Sequence, residues 1–216
     1  MSNDVVIRPY ELKDRAAVRQ ICCDTADGGE PVERIFPDRE VFADLITRYY
    51  TDYEPQSCWV ADRDGNVVGY LTGCLDTRRF LRLMAWRFAP LILLKAIGRG
   101  TLWHPQVVKL LSANLGGWLR GGFRKGVSLH EYPAHLHINL QRDARGQRVG
   151  QRLMDAFFKQ VATAGIHGIH AGVSADNQQG RGFFEAAGFT ALAREVRFRS
   201  PDTQQLLSTV IYGKKI

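Results

Sequence analysis

The chain has 216 residues, 45% of them hydrophobic, which is enough for one α/β domain with an insertion and a sizeable buried core. Its net charge of +7 comes with four cysteines, Cys22, Cys23, Cys58 and Cys74, that form neither a C-x-x-C pair nor a Cys/His metal spacing. No zinc spacing is present, and buried thiols are favoured over disulfides. Buried thiols in a reducing cytoplasm are expected, since the start MSNDVVIRPYELKD has no apolar signal core.

Val5–Arg8 is expected as a first strand ended by Pro9. A helix follows over Asp14–Ala26, with Ala17, Val18, Ile21 and Cys22 as its apolar face, then a Gly/Pro-bearing loop over Asp24–Pro37 and a second helix over Asp38–Tyr50. Ser57–Ala61 and Val67–Leu75 flank Asp64-Gly65-Asn66, a strong hairpin signal.

The stretch 77–130 then departs from the rest. It holds no Asp or Glu but carries Arg78, Arg79, Arg82, Arg87, Lys95, Arg99, Lys109, Arg120, Arg124 and Lys125. Outside it 19 basic residues face 22 acidic ones, so the positive balance belongs to this segment alone. Phe80–Ile97 is its most apolar part, and Pro90 should break or kink it into two helices. The apolar runs, interrupted by Arg82, Arg87 and Lys95, are too short to span a bilayer. A lid or subunit interface is the plainest reading, with Leu91–Leu94 and Ala96–Ile97 as a homodimer contact. Peripheral contact with anionic lipid is a second. An acidic partner is a third, and nucleic acid is disfavoured because Trp86, Phe88 and Trp103 sit in apolar surroundings.

His135–Leu140 alternates polar and apolar residues like a half-buried strand, and from Val149 the period becomes helical through Leu153, Met154, Phe157, Phe158 and Val161. Between them lies Arg145-Gly146-Gln147-Arg148-Val149-Gly150. A loop that ends a strand and opens a helix offers unpaired N–H groups and a positive dipole end, which together favour an anion. Next come a strand over Ile169–Ser174, a turn with Asn177 as N-cap, and a short helix stopped by Gly188. Glu195–Arg199 and Gln205–Tyr212 are expected as closing strands around Ser200-Pro201-Asp202.

The loop resembles the [RQ]-x-x-G-x-[GA] diphosphate loop of the GNAT superfamily of acetyl-CoA-dependent N-acetyltransferases, with Arg145 and Gly150 at its ends. Arg148 stands where that family has its first glycine, and is expected to keep helical angles. Gly168–Phe189 resembles the family's next module, N-x-x-A-x-x-[LF]-Y-x-x-x-G-F, with Asn177, Phe183, Gly188 and Phe189 in register. Gly180 replaces the alanine, and Phe184 replaces the tyrosine that often protonates the leaving thiolate. Most of Val67–Phe189 is also similar to the acetyltransferase-like domains related to the C-terminal domain of O-GlcNAcase.

The resemblance implies a single domain over 1–216 with a mixed, mostly antiparallel sheet flanked by helices and a helical insertion (77–130) between strands three and four. It implies acetyl-CoA as co-substrate, no metal, and acetyl transfer to a small-molecule or peptide amine by direct attack in a ternary complex. By motif position, the backbone of Asn139, Leu140 and Gln141 would meet the pantetheine arm. Gln141, Arg142, Arg145, Gly146, Gln147, Arg148, Val149 and Gly150 would cradle the diphosphate, with Asn177 close by. His137, His135 and Glu131 are the candidate bases, a neutral imidazole being suited to that work. Tyr212 and Tyr132 are candidates to replace the missing phenol. The rival reading is a non-catalytic module of the same fold that binds a protein or anionic surface through its insertion.

Overall fold

The computed structural model describes residues 4–119, 127–199 and 206–216. Fourteen main elements follow one another among them. They are β1 (Val5–Pro9), α1 (Arg15–Asp24), α2 (Arg39–Tyr53), β2 (Cys58–Arg63), β3 (Asn66–Cys74), α3 (Thr77–Leu83), α4 (Ala89–Gly98) and α5 (Pro105–Leu119), then β4 (Ala134–Leu140), α6 (Val149–Thr163), β5 (Gly168–Ser174), α7 (Gln178–Ala186), β6 (Thr190–Arg199) and β7 (Leu206–Lys215). The turn Ser200-Pro201-Asp202, residue Gln205, and the cations Arg120, Arg124 and Lys125 lie outside the described residues.

The strands form one sheet in the order β1-β2-β3-β4-β5-β7-β6. Every pairing is antiparallel except β4 with β5. The β2–β3 turn is tight because Asp64 and Gly65 both take positive φ, as a two-residue hairpin of matching twist requires. Alternation along β3 splits the core. Leu71 faces a cluster with Leu136, Leu153, Met154, Phe157 and Val161 under α6, while Tyr70 faces the opposite cluster with Val18, Ile21, Tyr49 and Tyr50 from α1 and α2. β6 begins at Thr190, five residues before the first closing strand expected from sequence, because Ala191 and Ala193 already pair with β7 around a bulge.

The insertion is built into the second core rather than laid over it. Phe88, Ile92 and Ala96 are buried there with the α2 tyrosines. The expected break at Pro90 is softened: a π-turn over Met84–Phe88 lies between α3 and α4 just before Pro90, and the backbone stays helical through it at Met84, Phe88 and Ala89. Two cations, Lys95 of α4 and Arg99 just past its end, pair with carboxylates of α2 and its cap. Lys95 bonds Asp44 at 2.8 Å and Glu40 at 3.2 Å, and Arg19 of α1 bonds the same two carboxylates. Arg99 reaches Asp38 at 2.7 Å. Ile92 and Ala96, inside the predicted dimer stretch, face this core, so only Leu91, Leu93, Leu94 and Ile97 of that stretch are exposed.

Candidate functional site

β4 leaves its neighbour early. It pairs with β5 only at Ala134 and His135, whereas it follows β3 as far as Leu140. A cleft of about 560 Å³ opens in the gap. Its walls include Leu136–Leu140 of β4, Gly172–Ser174 of β5, Arg145, Gly146 and Arg148–Gln151 of the loop and first turn of α6, and Asn177, Gly180, Phe183 and Phe184 of α7. Cys22, Thr25, Phe42 and Ile46 close it from the α1 and α2 side.

The ladder dictates which β4 groups face the gap. The Gln141 N–H bonds the Val68 carbonyl at 2.9 Å, so by antiparallel alternation Asn139 and His137 also turn their backbone toward β3. Ile138 and Leu140 therefore point theirs into the cleft. The Leu140 carbonyl accepts Arg145 Nε at 3.2 Å and Nη2 at 3.1 Å, as that direction requires. Within the expected trio, Leu140 turns its backbone to the cleft, while the Gln141 N–H is taken by Val68 and the Asn139 side chain bonds Tyr70, Nδ2 to Oη at 3.0 Å.

At the loop, Arg148 is not helical. It adopts φ 58° and serves as the residue before α6, with Gly146 at φ 75° two positions earlier. An L-residue pays for this left-handed geometry with roughly 1 kcal/mol of steric strain. The reason is direct: the chain must turn sharply to aim the first-turn N–H groups of α6 into the cleft. Arg148 is exposed at its rim, and none of the described residues lining the cleft is acidic. Gly150 is buried below, where an added Cβ would sit 3.0 Å from Phe183 and 3.4 Å from Leu140. Its smallness lets α7 approach α6 and leaves the backbone bare. Gln147 and Arg142 turn away: Gln147 Nε2 bonds the Asp143 carbonyl at 2.8 Å, and Arg142 pairs with Glu30 at 3.1 Å. Asn177 caps α7 through Gly180 N–H at 2.8 Å and lines the cleft as well.

The three candidate bases separate. His137 is exposed and lines the cleft, its ring 5.8 Å from that of Tyr50. His135 is buried away from it. Thr77 donates its hydroxyl proton to the Pro133 carbonyl, so it accepts from His135 Nδ1 at 2.7 Å, which leaves Nε2 to accept from the Tyr50 hydroxyl at 2.7 Å. Burial, with His137 and His170 nearby, pushes the His135 pKa well below its ordinary value. The ring is a neutral strut with both nitrogens committed. Glu131 lies beyond the other end of β4, exposed, 3.7 Å from Lys215. It lines no part of the cleft.

Neither tyrosine replaces the missing phenol. Tyr212 is buried against Phe184 with ring centroids 6.1 Å apart, and its hydroxyl donates to Glu185 at 2.7 Å. Tyr132 lies under Lys215 and Gly213. Phe184 itself lines the cleft. Cys22, overlooked as a site residue because it sits on an ordinary apolar helix face, also lines it, and burial raises its thiol pKa to about 12.

Residues 111–189 match the model of the acetyltransferase (GNAT) family, and that span contains β4, the loop, α6, β5 and α7. The match falls on the cleft-forming part of the chain, and the whole chain carries the GNAT fold. It is similar to SsHAT, whose crystal structure superposes with a TM-score of 0.74 at 28% identity, covering 98% of each chain. An N-acetyltransferase from Staphylococcus aureus Mu50 shares the fold at TM-score 0.59 and 13% identity, with 98% of each chain covered. So does a putative acetyltransferase from Salmonella typhimurium solved with its cofactor acetyl-CoA, at TM-score 0.57 and 13% identity, covering 99% of this chain and 94% of that one.

Proposed function

We propose that this GNAT protein transfers an acetyl group from acetyl-CoA to an amine by direct attack in a ternary complex. The observation that carries this reading is the parting of β4 from β5 beside the helix-opening loop. It yields an acid-free cleft with two unpaired-strand positions, Ile138 and Leu140, along one wall and the α6 N-terminus with Arg145 and Arg148 at its mouth. A pantetheine amide pairs with backbone groups of that kind, and a diphosphate with that helix end. Bound acetyl-CoA supplies a thioester that needs an electrophile's polarisation and a neutral amine.

The chain offers residues for both. The Leu140 N–H is the donor nearest the loop that points into the gap, and His137 is the one imidazole among the described lining residues. His137 takes the proton from the incoming amine. Cys22 is unsuited to an acyl-enzyme route, because a thiol held near pKa 12 supplies almost no thiolate at neutral pH. Phe184 leaves thiolate protonation to solvent, which is tolerable for a thiol whose free pKa is about 8.5.

Calorimetric titration with acetyl-CoA and with CoA tests cofactor binding, and thiol release across a panel of amines tests transfer. Binding with no turnover on any amine would favour the non-catalytic module, the reading that Phe184 supports. Absence of binding would remove the transfer reading and leave the non-catalytic module, acting through its insertion.

A further inference from the structure

The side of the insertion facing away from the core is exposed among the described residues. Phe88, just before α4, and Ile92 and Ala96 on it point inward, whereas Leu93, Leu94 and Ile97 stand on the opposite side, in line with Pro90 and Trp86 one turn earlier. Trp86 is 86% exposed and Leu94 65%. Arg78 and Arg82, one turn apart on α3, and Arg87, next to Trp86, are all exposed and form no ion pair among the described residues. They differ in this from Lys95 and Arg99, which α2 neutralises.

We propose that this stripe is a peripheral docking site for an anionic lipid surface, with Trp86, Leu93, Leu94 and Ile97 entering the headgroup–acyl boundary and Arg78, Arg82 and Arg87 meeting lipid phosphates. Charge complementarity selects the occupant. No acidic residue occurs anywhere in 77–130, so a second copy seated on the same face would set arginine against arginine with no carboxylate between them. A polyanion without an apolar phase would satisfy the arginines and leave Trp86 and the leucines wet. A bilayer surface satisfies both, and an indole at headgroup depth is a favoured anchor. No helix among the described residues is long and apolar enough to cross a membrane, so contact of this kind is confined to the surface. The inference is independent of acetyl transfer, because the stripe contributes nothing to the cleft lining.

The test is co-sedimentation of the full chain with vesicles of phosphatidylcholine alone and of phosphatidylcholine mixed with phosphatidylserine, at low and high salt. Binding to the mixed vesicles only, weakened by salt and accompanied by a blue shift of tryptophan emission, is expected. Replacing Arg78, Arg82 and Arg87 by Glu should reduce partitioning about a hundredfold or more, at roughly fivefold for each neutralised cation. Leu94→Glu with Trp86→Ala should abolish the emission shift. These side chains are exposed, and an unchanged thermal melt followed by circular dichroism confirms that each variant is folded. Equal binding to both vesicles, binding to neither, or binding that survives Leu94→Glu with Trp86→Ala overturns the proposal. So does self-association in the ultracentrifuge that Leu94→Glu removes, which would assign the face to a second copy.

Discussion

Asp38 caps helix α2 with one carboxylate oxygen and grips Arg99 of the insertion with the other. Oδ1 accepts the N–H groups of Glu40 and Val41 at 3.0 and 3.2 Å, while Oδ2 accepts Arg99 Nε at 2.7 Å and Thr101 Oγ1 at 2.6 Å. One side chain thus fixes both the start of α2 and the end of α4, the two helices whose inner faces share a core with Tyr49 and Tyr50.

This geometry makes stability depend on acid. Burial alone would raise the Asp38 pKa, but Arg99, Thr101 and the capping N–H groups bring it down to about 2. A depressed carboxylate stabilises the fold fully above its unfolded pKa of about 4, and that contribution is lost as the pH falls through its folded pKa. Resistance to urea should therefore fall as the pH drops from about 4 toward about 2, in company with Asp44 and Asp14, which are also held low. Asp38→Asn should cost about 1–2 kcal/mol at neutral pH, since the cap survives but the charge on Arg99 loses its partner, and should flatten part of the acid slope.

His137 and His135 should respond differently to removal. His137→Ala is expected to lower kcat by about 10²–10⁴ with CoA affinity and melting temperature unchanged. His135→Ala strands the buried hydroxyl of Tyr50 and removes the donor to Thr77, and should destabilise the fold by about 2–3 kcal/mol. Steady-state rates beside thermal melts separate the two, and equal rates in wild type and His137→Ala would remove that residue from the reaction.

With Phe184 in the acid's place, the rate should rise with pH along a single limb and then level, with no descending limb from a protonated phenol. The ascending limb should vanish in His137→Ala. A bell-shaped profile in the wild type would reveal an acid that the cleft lining does not contain.

Arg148→Gly relieves the left-handed strain and should raise stability by about 0.5–1 kcal/mol. It should lower CoA affinity only modestly, whereas Arg148→Glu, which places an anion at the mouth of the cleft, should lower it at least about tenfold. Gly150→Ala should cost about 1–3 kcal/mol, because its methyl group must displace Phe183 or Leu140. Calorimetry with CoA and chemical denaturation give both quantities.

The sequence by itself determined the order of elements from Val5 to Tyr212, the strand–loop–helix around Gly150 and the Asn177 cap, because each is written in local periodicity, capping or turn chemistry. Segment charge was equally legible, down to the absence of acids from 77 to 130. Tertiary structure decided what those groups face. His135, His137 and Asn139 share one strand face in the sequence, yet packing of Tyr50 and Thr77 makes the first a buried strut and leaves the second to the cleft. Lys95 and Arg99 look like the other insertion cations until α2 brings Asp44, Glu40 and Asp38 against them. Arg148 takes left-handed angles because the chain reversal into α6 demands them, against its own preference. Local chemistry sets which element forms and which groups it displays; partners from distant segments set each group's environment, and so its charge, its exposure and its work.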